Sequence, residues 1–168
     1  MVKEVKYRGK LISLVTHRRR LPNGHVAEIE VIEHPGAVLI VPFLSNKRII
    51  LLYQYRPVIR RFLYELPAGT LRPKEKPLDC ASRELIEETG YRASRMTRLS
   101  PIYPVPGYST EVITLFKAEG LSAYRGKKDP DEIIKTRILD LSQVRKLFHQ
   151  GKIMDAKTIS ALAFCGWL

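Results

Sequence analysis

Gly69-Thr-Leu-Arg-Pro-Lys-Glu75 and, seven residues further on, Arg83-Glu84-Leu85-Ile86-Glu87-Glu88-Thr89-Gly90-Tyr91 form the stretch on which the reading of this chain turns. A helix is predicted across it. Pro77 suits a first helical turn, and Gly90 suits the position just past the end. Leu78, Ala81 and Leu85 recur at i, i+3, i+7 and predict its core stripe. Glu84 and Glu88 are i, i+4 and share a face, with Glu87 beside both, so three carboxylates are expected to converge within one turn. They stand at the C-terminal end, where the helix dipole disfavours each negative charge by ~0.3–1 kcal/mol at low salt. Like charges at i, i+4 add a few tenths more. A helix shaped for stability alone would carry Lys or Arg here. Arg83 is expected to pair with one carboxylate, leaving a hard divalent cation with oxygen ligands, Mg²⁺ or Mn²⁺, to relieve the rest. The alternative, a solvated acidic face, suits an isolated Glu-Glu pair; the Gly-bearing loop and Glu75 at fixed distances argue against it.

Upstream the pattern is β. Leu11–His17 and His25–His34 flank the turn sequence Leu21-Pro-Asn-Gly24. Pro35-Gly36 breaks the chain. Ala37–Leu44 reads as a buried strand, Ser45-Asn-Lys-Arg48 as a turn, Ile49–Arg56 as the return strand, and Phe62–Leu66 as a short extended piece. Downstream, Thr97–Tyr103, Thr110–Ala118 and Ile133–Leu139 read as strands. Ser142 is the expected cap of a helix through Gln150. Asp155 is the expected cap of a last helix, with Ile159, Leu162, Ala163 and Trp167 on its inner side. Strands and helices in this order predict an α+β fold, an α/β/α sandwich with a mixed sheet between helices.

The 168 residues suit one domain with a modest extension. We divide them into an N-terminal β extension, residues 1–36, and a main domain, residues 37–168. The apolar-rich run Ala37–Leu44 is far short of the ~20 residues that span a bilayer. The start has no signal-peptide run. Two cysteines, Cys80 and Cys165, make no disulfide framework and read as small core residues. A cytoplasmic setting and no membrane partner are expected. The net charge is 29 − 17 = +12. It favours anionic ligands, but the basic residues are scattered and not interleaved with stacking aromatics, which speaks against a nucleic-acid partner.

Gly69, Glu75, Arg83, Glu84, Leu85, Glu87, Glu88 and Gly90 fill every fixed position of G-x5-E-x7-R-E-U-x-E-E-x-G-U, with U a bulky apolar residue. The segment therefore resembles the Nudix box; Tyr91 at the last position, where an aliphatic residue is commoner, is a mild departure. The resemblance implies the Nudix fold, with the box as loop–helix–loop, and hydrolysis of a nucleoside diphosphate linked to another moiety. It implies metal ligation by Glu84, Glu88 and the carbonyl of Ala68, with Glu87 binding metal or orienting water. Arg83 would hold Glu87 or its neighbours, and Glu75 would stand behind them or serve as an additional ligand.

Further features resemble the ADP-ribose pyrophosphatase group. Glu65-Leu-Pro-Ala-Gly69 precedes the box as it does there. Pro106 lies 106 − 90 = 16 residues past Gly90, within Pro104-Val-Pro-Gly-Tyr-Ser-Thr-Glu111. Gln54-Tyr-Arg-Pro57 matches a segment whose arginine contacts substrate. The implied substrate residues are Arg56, Glu65 and Glu111. Asp131-Glu132 matches a loop that supplies a catalytic glutamate, and Glu132 is the choice. The expected reaction is ADP-ribose to AMP and ribose 5-phosphate. Other nucleotide sugars such as GDP-mannose, dinucleotides, nucleoside triphosphates and a non-catalytic nucleotide- or RNA-binding module stay open as alternatives. In this group N-terminal strands commonly cross to a partner, so residues 1–36 are expected to support a homodimer with exchanged strands. Tyr7 or an arginine of Arg18-Arg19-Arg20 would then reach the neighbour's ligand.

Overall fold

The computed structural model describes residues 3–124 and 133–168. Three antiparallel strands, β1 (Lys3–Arg8), β2 (Ser13–Arg20) and β3 (Val26–Glu33), form a sheet of their own in the order β1-β2-β3. β1 was not legible in the sequence. All six of its residues are exposed, so no buried face stamps a pattern on Lys-Glu-Val-Lys-Tyr-Arg.

The main sheet is built around β4 (Ala37–Ser45). Its first six residues are buried, as expected of a strand with both faces covered. Around it stand β5 (Arg48–Arg56), β6 (Arg61–Glu65), β7 (Ala68–Thr70), β8 (Tyr91–Ile102), β9 (Ile113–Ala123) and β10 (Ile134–Asp140). The order is β10-β5-β4-β9-β8, with β6 on β5 and β7 on β4. β4 and β9 are parallel, Ala37 opposite Ile113, and the other pairs are antiparallel. Alternate residues of β4 feed two cores. Leu39 and Val41 join Leu51, Leu115 and Leu66 beneath α2 (Leu141–His149) and α3 (Ala156–Phe164), with Val144, Ala161, Leu162 and Trp167. Val38 and Ile40 join Phe116 and Ala118 beneath α1 (Pro77–Thr89), with Cys80, Ala81 and Leu85. This is the predicted sandwich of helices on a mixed sheet. Leu85 alone, 1% exposed, contributes ~1.5–3 kcal/mol of burial.

Four local expectations are corrected. Leu78 is 48% exposed in the first turn of α1, and Cys80, fully buried, fills the inner position. α2 is capped by Asp140, not Ser142. The Asp140 carboxylate accepts from the Gln143 N–H at 2.9 Å, and the Gln143 side chain accepts from the Asp140 N–H at 2.9 Å, a reciprocal box that Ser142 lacks a partner to build. Ala163 faces solvent, while Thr158, Ala161 and Leu162 form the buried face of α3. β8 and β9 also run longer than expected, their hairpin continuing to Tyr91 and Ala123.

Candidate active site

The box folds as loop, helix and loop. β7 carries Ala68 and Gly69 on the edge of β4, and Lys74, with φ 65°, turns the chain back so that Glu75 reaches the helix. Gly90 closes α1 at φ 76°, its N–H on the Ile86 carbonyl, in the left-handed conformation that a glycine adopts at no steric cost.

The acidic turn is organised by Arg83, and here the expectation of a single partner is wrong. Its guanidinium donates to Glu75 Oε1 and Oε2 at 2.9 and 3.1 Å, to Glu84 Oε1 at 2.6 Å and to Glu87 Oε2 at 3.0 Å. A planar fork with five donors can serve three carboxylates. Glu75 also accepts the Arg72 N–H at 2.9 Å. The Arg83 bonds, helped by that N–H, hold the Glu75 carboxyl down at about 2 against a smaller opposing effect of burial. Arg83 itself is raised, first by Glu75. Cys80, packed beside it, is pushed up to about 12 by burial and stays a neutral thiol.

Glu88 takes a different partner: its Oε2 accepts the Ala68 N–H at 2.9 Å. The predicted set Ala68, Glu84, Glu87 and Glu88 is therefore brought to one place but not onto one point. Among the described residues no three His, Cys, Asp or Glu side chains stand close enough together to form a cation cluster. The carboxylates converge on Arg83 and on the Ala68 peptide instead. The donor chemistry nonetheless fits a hard divalent cation. Every donor is oxygen, and Glu84 and Glu88 are only 9% and 3% exposed. Gly69 leaves the room the Glu84 carboxylate occupies: a Cβ at position 69 would fall 1.8 Å from Glu84 Oε1.

Ala68 and Gly69 line one wall of a cavity of about 370 Å³ whose other walls include Arg56, Pro104, Glu111, Asp155 and Lys157. Arg56 and Glu65 are joined by a bidentate pair at 2.8 and 2.6 Å. Glu65 is fully buried, and Lys157 Nζ adds a third bond at 2.7 Å. Burial alone would raise the Glu65 carboxyl; the Arg56 bonds and the Lys157 charge outweigh it and hold it below the ordinary carboxylate range. Glu65 thus sits beneath the cavity as an anchor for two cations. Glu111, which follows the Pro-Gly segment, lines the same cavity. Glu132 and Asp131 lie outside the described residues.

Sequence reasoning missed Lys157 and took Asp155 only as a cap. Asp155 does cap α3, accepting Thr158 N–H at 3.0 Å and its hydroxyl at 2.6 Å, and it also accepts Lys157 Nζ at 2.7 Å. Thr158 Oγ1 in turn accepts the Leu66 N–H at 2.9 Å. The local signal was Asp155-Ala-Lys-Thr158 at a helix start, but nothing in it points to Glu65, 92 residues away. A larger hollow of about 630 Å³ lies at the opposite end of β4, lined by Phe43, Lys117, Phe164 and Trp167. It holds none of the box residues, so volume does not select the site.

Comparison with known proteins follows the same lines. A NUDIX domain model matches residues 33–162. The chain is 36% identical over 166 residues to an ADP-ribose pyrophosphatase of Bacillus subtilis (strain 168), covering 98% of this chain and 90% of that protein. It is 34% identical over 136 residues to a GDP-mannose pyrophosphatase of Cronobacter sakazakii (strain ATCC BAA-894), 76% of this chain and 71% of that one. A crystal structure of an ADP compounds hydrolase superposes with TM-score 0.83 at 24% identity, over 98% of this chain and 90% of that chain, and shares its fold. The family match runs from the end of β3 into the last helix, so it takes in the sheet, the acidic turn and the paired cations together: this chain belongs to the Nudix family and is a Nudix hydrolase.

Proposed function

We propose that the protein hydrolyses the pyrophosphate bond of a nucleoside-diphosphate sugar, ADP-ribose foremost, to AMP and ribose 5-phosphate. One observation carries the reading: a single cavity is lined both by Arg56 and Lys157 and by the carboxylate-backed Ala68–Gly69 segment. Two cations suit a diphosphate, which would share Arg56 with Glu65 and Lys157 with Glu65 and Asp155. A carboxylate at Glu111, on the same cavity, can accept hydrogen bonds from sugar hydroxyls. Similarity to an ADP-ribose pyrophosphatase and to a GDP-mannose pyrophosphatase supports the substrate class.

Glu84, Glu88 and Ala68, with Glu87 beside them, are the residues that would hold a divalent ion, Mg²⁺ or Mn²⁺. Bound there, the ion supplies neutralisation of phosphate oxygens and acidification of water. The chain's own contribution is separate. Arg56 and Lys157 bind and orient the diphosphate, which raises effective concentration at the scissile bond. Arg83 fixes the direction of the Glu84 and Glu87 carboxylates. Glu87, the most exposed of the Arg83 partners at 32%, would accept a proton from water, with Glu132 the alternative for that role.

We further propose a cytoplasmic homodimer in which residues 1–36 act as an extension distinct from 37–168. The exposed apolar side chains of its sheet, Val5, Tyr7 and Val26, support this. Among the described residues no helix is long and apolar enough to cross a membrane. Incubation with ADP-ribose, GDP-mannose, a dinucleotide and a nucleoside triphosphate, with Mg²⁺ or Mn²⁺ and chromatography of products, tests the reading. AMP from ADP-ribose is the expected result; no monophosphate from any sugar nucleotide would overturn it. Sedimentation at micromolar concentration tests the dimer.

A further inference from the structure

His34 has no part in the scheme above, yet its side chain is only 10% exposed and it touches a cavity residue. Its Nδ1 accepts the Gly36 N–H at 3.1 Å, so the neutral ring carries its proton on Nε2. Gly36, at φ 98°, passes its own carbonyl to the Leu71 N–H at 3.1 Å, within the box loop. On the other side the His34 N–H donates to Thr110 Oγ1 at 3.0 Å. Ile32 N–H donates to Tyr108 O at 2.7 Å, Thr110 N–H to Ile32 O at 3.0 Å, and Ala37 N–H to Val112 O at 3.0 Å. Residues 32–37 are thus laced to 108–112, and Glu111 lies inside the lacing. Glu111 Oε1 stands 3.8 Å from His34 Nδ1. Both atoms are acceptors here, so the ring makes no hydrogen bond to the carboxylate; it stands as a wall against it.

We infer that His34 is a positioning residue for the reaction, a buried ring edge that keeps the Glu111 carboxylate turned into the cavity while its Nδ1 fixes the Gly36 turn. The inference rests on the nucleotide-sugar reading and deepens it. A carboxylate on a short loop has several rotamers, and ordering it before substrate arrives removes an entropy cost from binding. The ring would therefore act on KM and leave kcat nearly alone.

A double-mutant cycle on ADP-ribose turnover tests this, with His34→Asn, Glu111→Ala and the double variant. Asparagine keeps an acceptor oxygen for Gly36 but removes the ring edge. Glu111→Ala is expected to raise KM about tenfold and His34→Asn about three- to fivefold, each with kcat within about twofold. The double variant should be no worse than Glu111→Ala alone, because His34 acts through Glu111. Multiplying effects, or an unchanged KM in His34→Asn, would overturn the inference. If His34→Asn folds poorly by its melting temperature, His34→Gln replaces it in the same cycle. Without any substrate, a crystal structure of the His34 variant should show Glu111 rotated away from the cavity, and Glu111 unmoved would overturn the inference. Failure of the wild type to release AMP counts against the proposed function, whereas these structural and cycle outcomes count for or against His34.

Discussion

Replacing Arg83 by methionine keeps the apolar stem and deletes the cation that holds the acidic turn. Four hydrogen bonds to carboxylate oxygens disappear, two to Glu75 and one each to Glu84 and Glu87, at 2.6–3.1 Å. The Arg83 side chain is 17% exposed, Glu75 14% and Glu84 11%, so water replaces the lost partner only in part; Glu87, at 32%, relaxes most easily. Charge-assisted bonds are worth ~1.5–3 kcal/mol each, but four on one group do not add. The better guide is the ~3–5 kcal/mol lost when one partner of a buried pair is removed. At ~2–4 °C per kcal/mol for a chain of this size, the melting temperature without divalent metal should fall by ~6–20 °C. Three carboxylates left facing one another should also trap cations more strongly. Millimolar Mg²⁺ should therefore raise the melting temperature of the variant by more than that of the wild type. Turnover should drop ~100-fold or more, because displacement of about 1 Å at a catalytic group costs that much. Calorimetry with chelator and with Mg²⁺ reads both effects. A variant that melts within ~2 °C of wild type in chelator, with the same Mg²⁺ shift, would refute the role given to Arg83.

Gly69→Ala places a methyl 1.8 Å from Glu84 Oε1; the protein should fold and circular dichroism should be unchanged, with turnover down ~100-fold as Glu84 is pushed aside. Glu88→Gln keeps a carbonyl oxygen for the Ala68 N–H, so the melting temperature should hold or rise as repulsion is relieved, while turnover falls by orders of magnitude; near-wild-type rates would refute the metal assignment. Glu75 is held at about 2 in the folded protein against an ordinary value of 4.5. Its contribution to stability is then complete above 4.5 and is lost as pH falls from there toward 2. Denaturant titrations across that window should show the loss in the wild type and a flatter profile in Arg83→Met.

What the sequence disclosed and what it hid follow from the range of the interactions. The box was legible because its residues are fixed by spacing along one loop and one helix. The sandwich was legible because Ala37–Val41 is apolar on both faces. The triple engagement of Arg83 was not, since it depends on a loop turning back at Lys74 to bring Glu75 over the helix. Lys157 was hidden for a related reason: its partner Glu65 is remote in sequence, and a lysine in a first helical turn carries no mark of that contact. Leu78 shows the limit of periodicity, which gives the angle of a side chain around the helix but not whether anything covers it there.

The run from Glu65 to Ala68 has a further consequence. Glu65 gathers Arg56 and Lys157, Ala68 gathers Glu88, and between them Leu66 is tied to Thr158 and the Pro67 carbonyl to the Ile40 N–H at 2.8 Å. Three residues of extended chain span at most ~10–11 Å, and this span is pinned at every step. It works as a fixed gauge, setting how far the Arg56–Lys157 pair stands from the acidic turn. One inserted residue would lengthen that gauge by ~3.5 Å, enough to leave both groups intact and yet, on the function proposed above, out of reach of the same molecule.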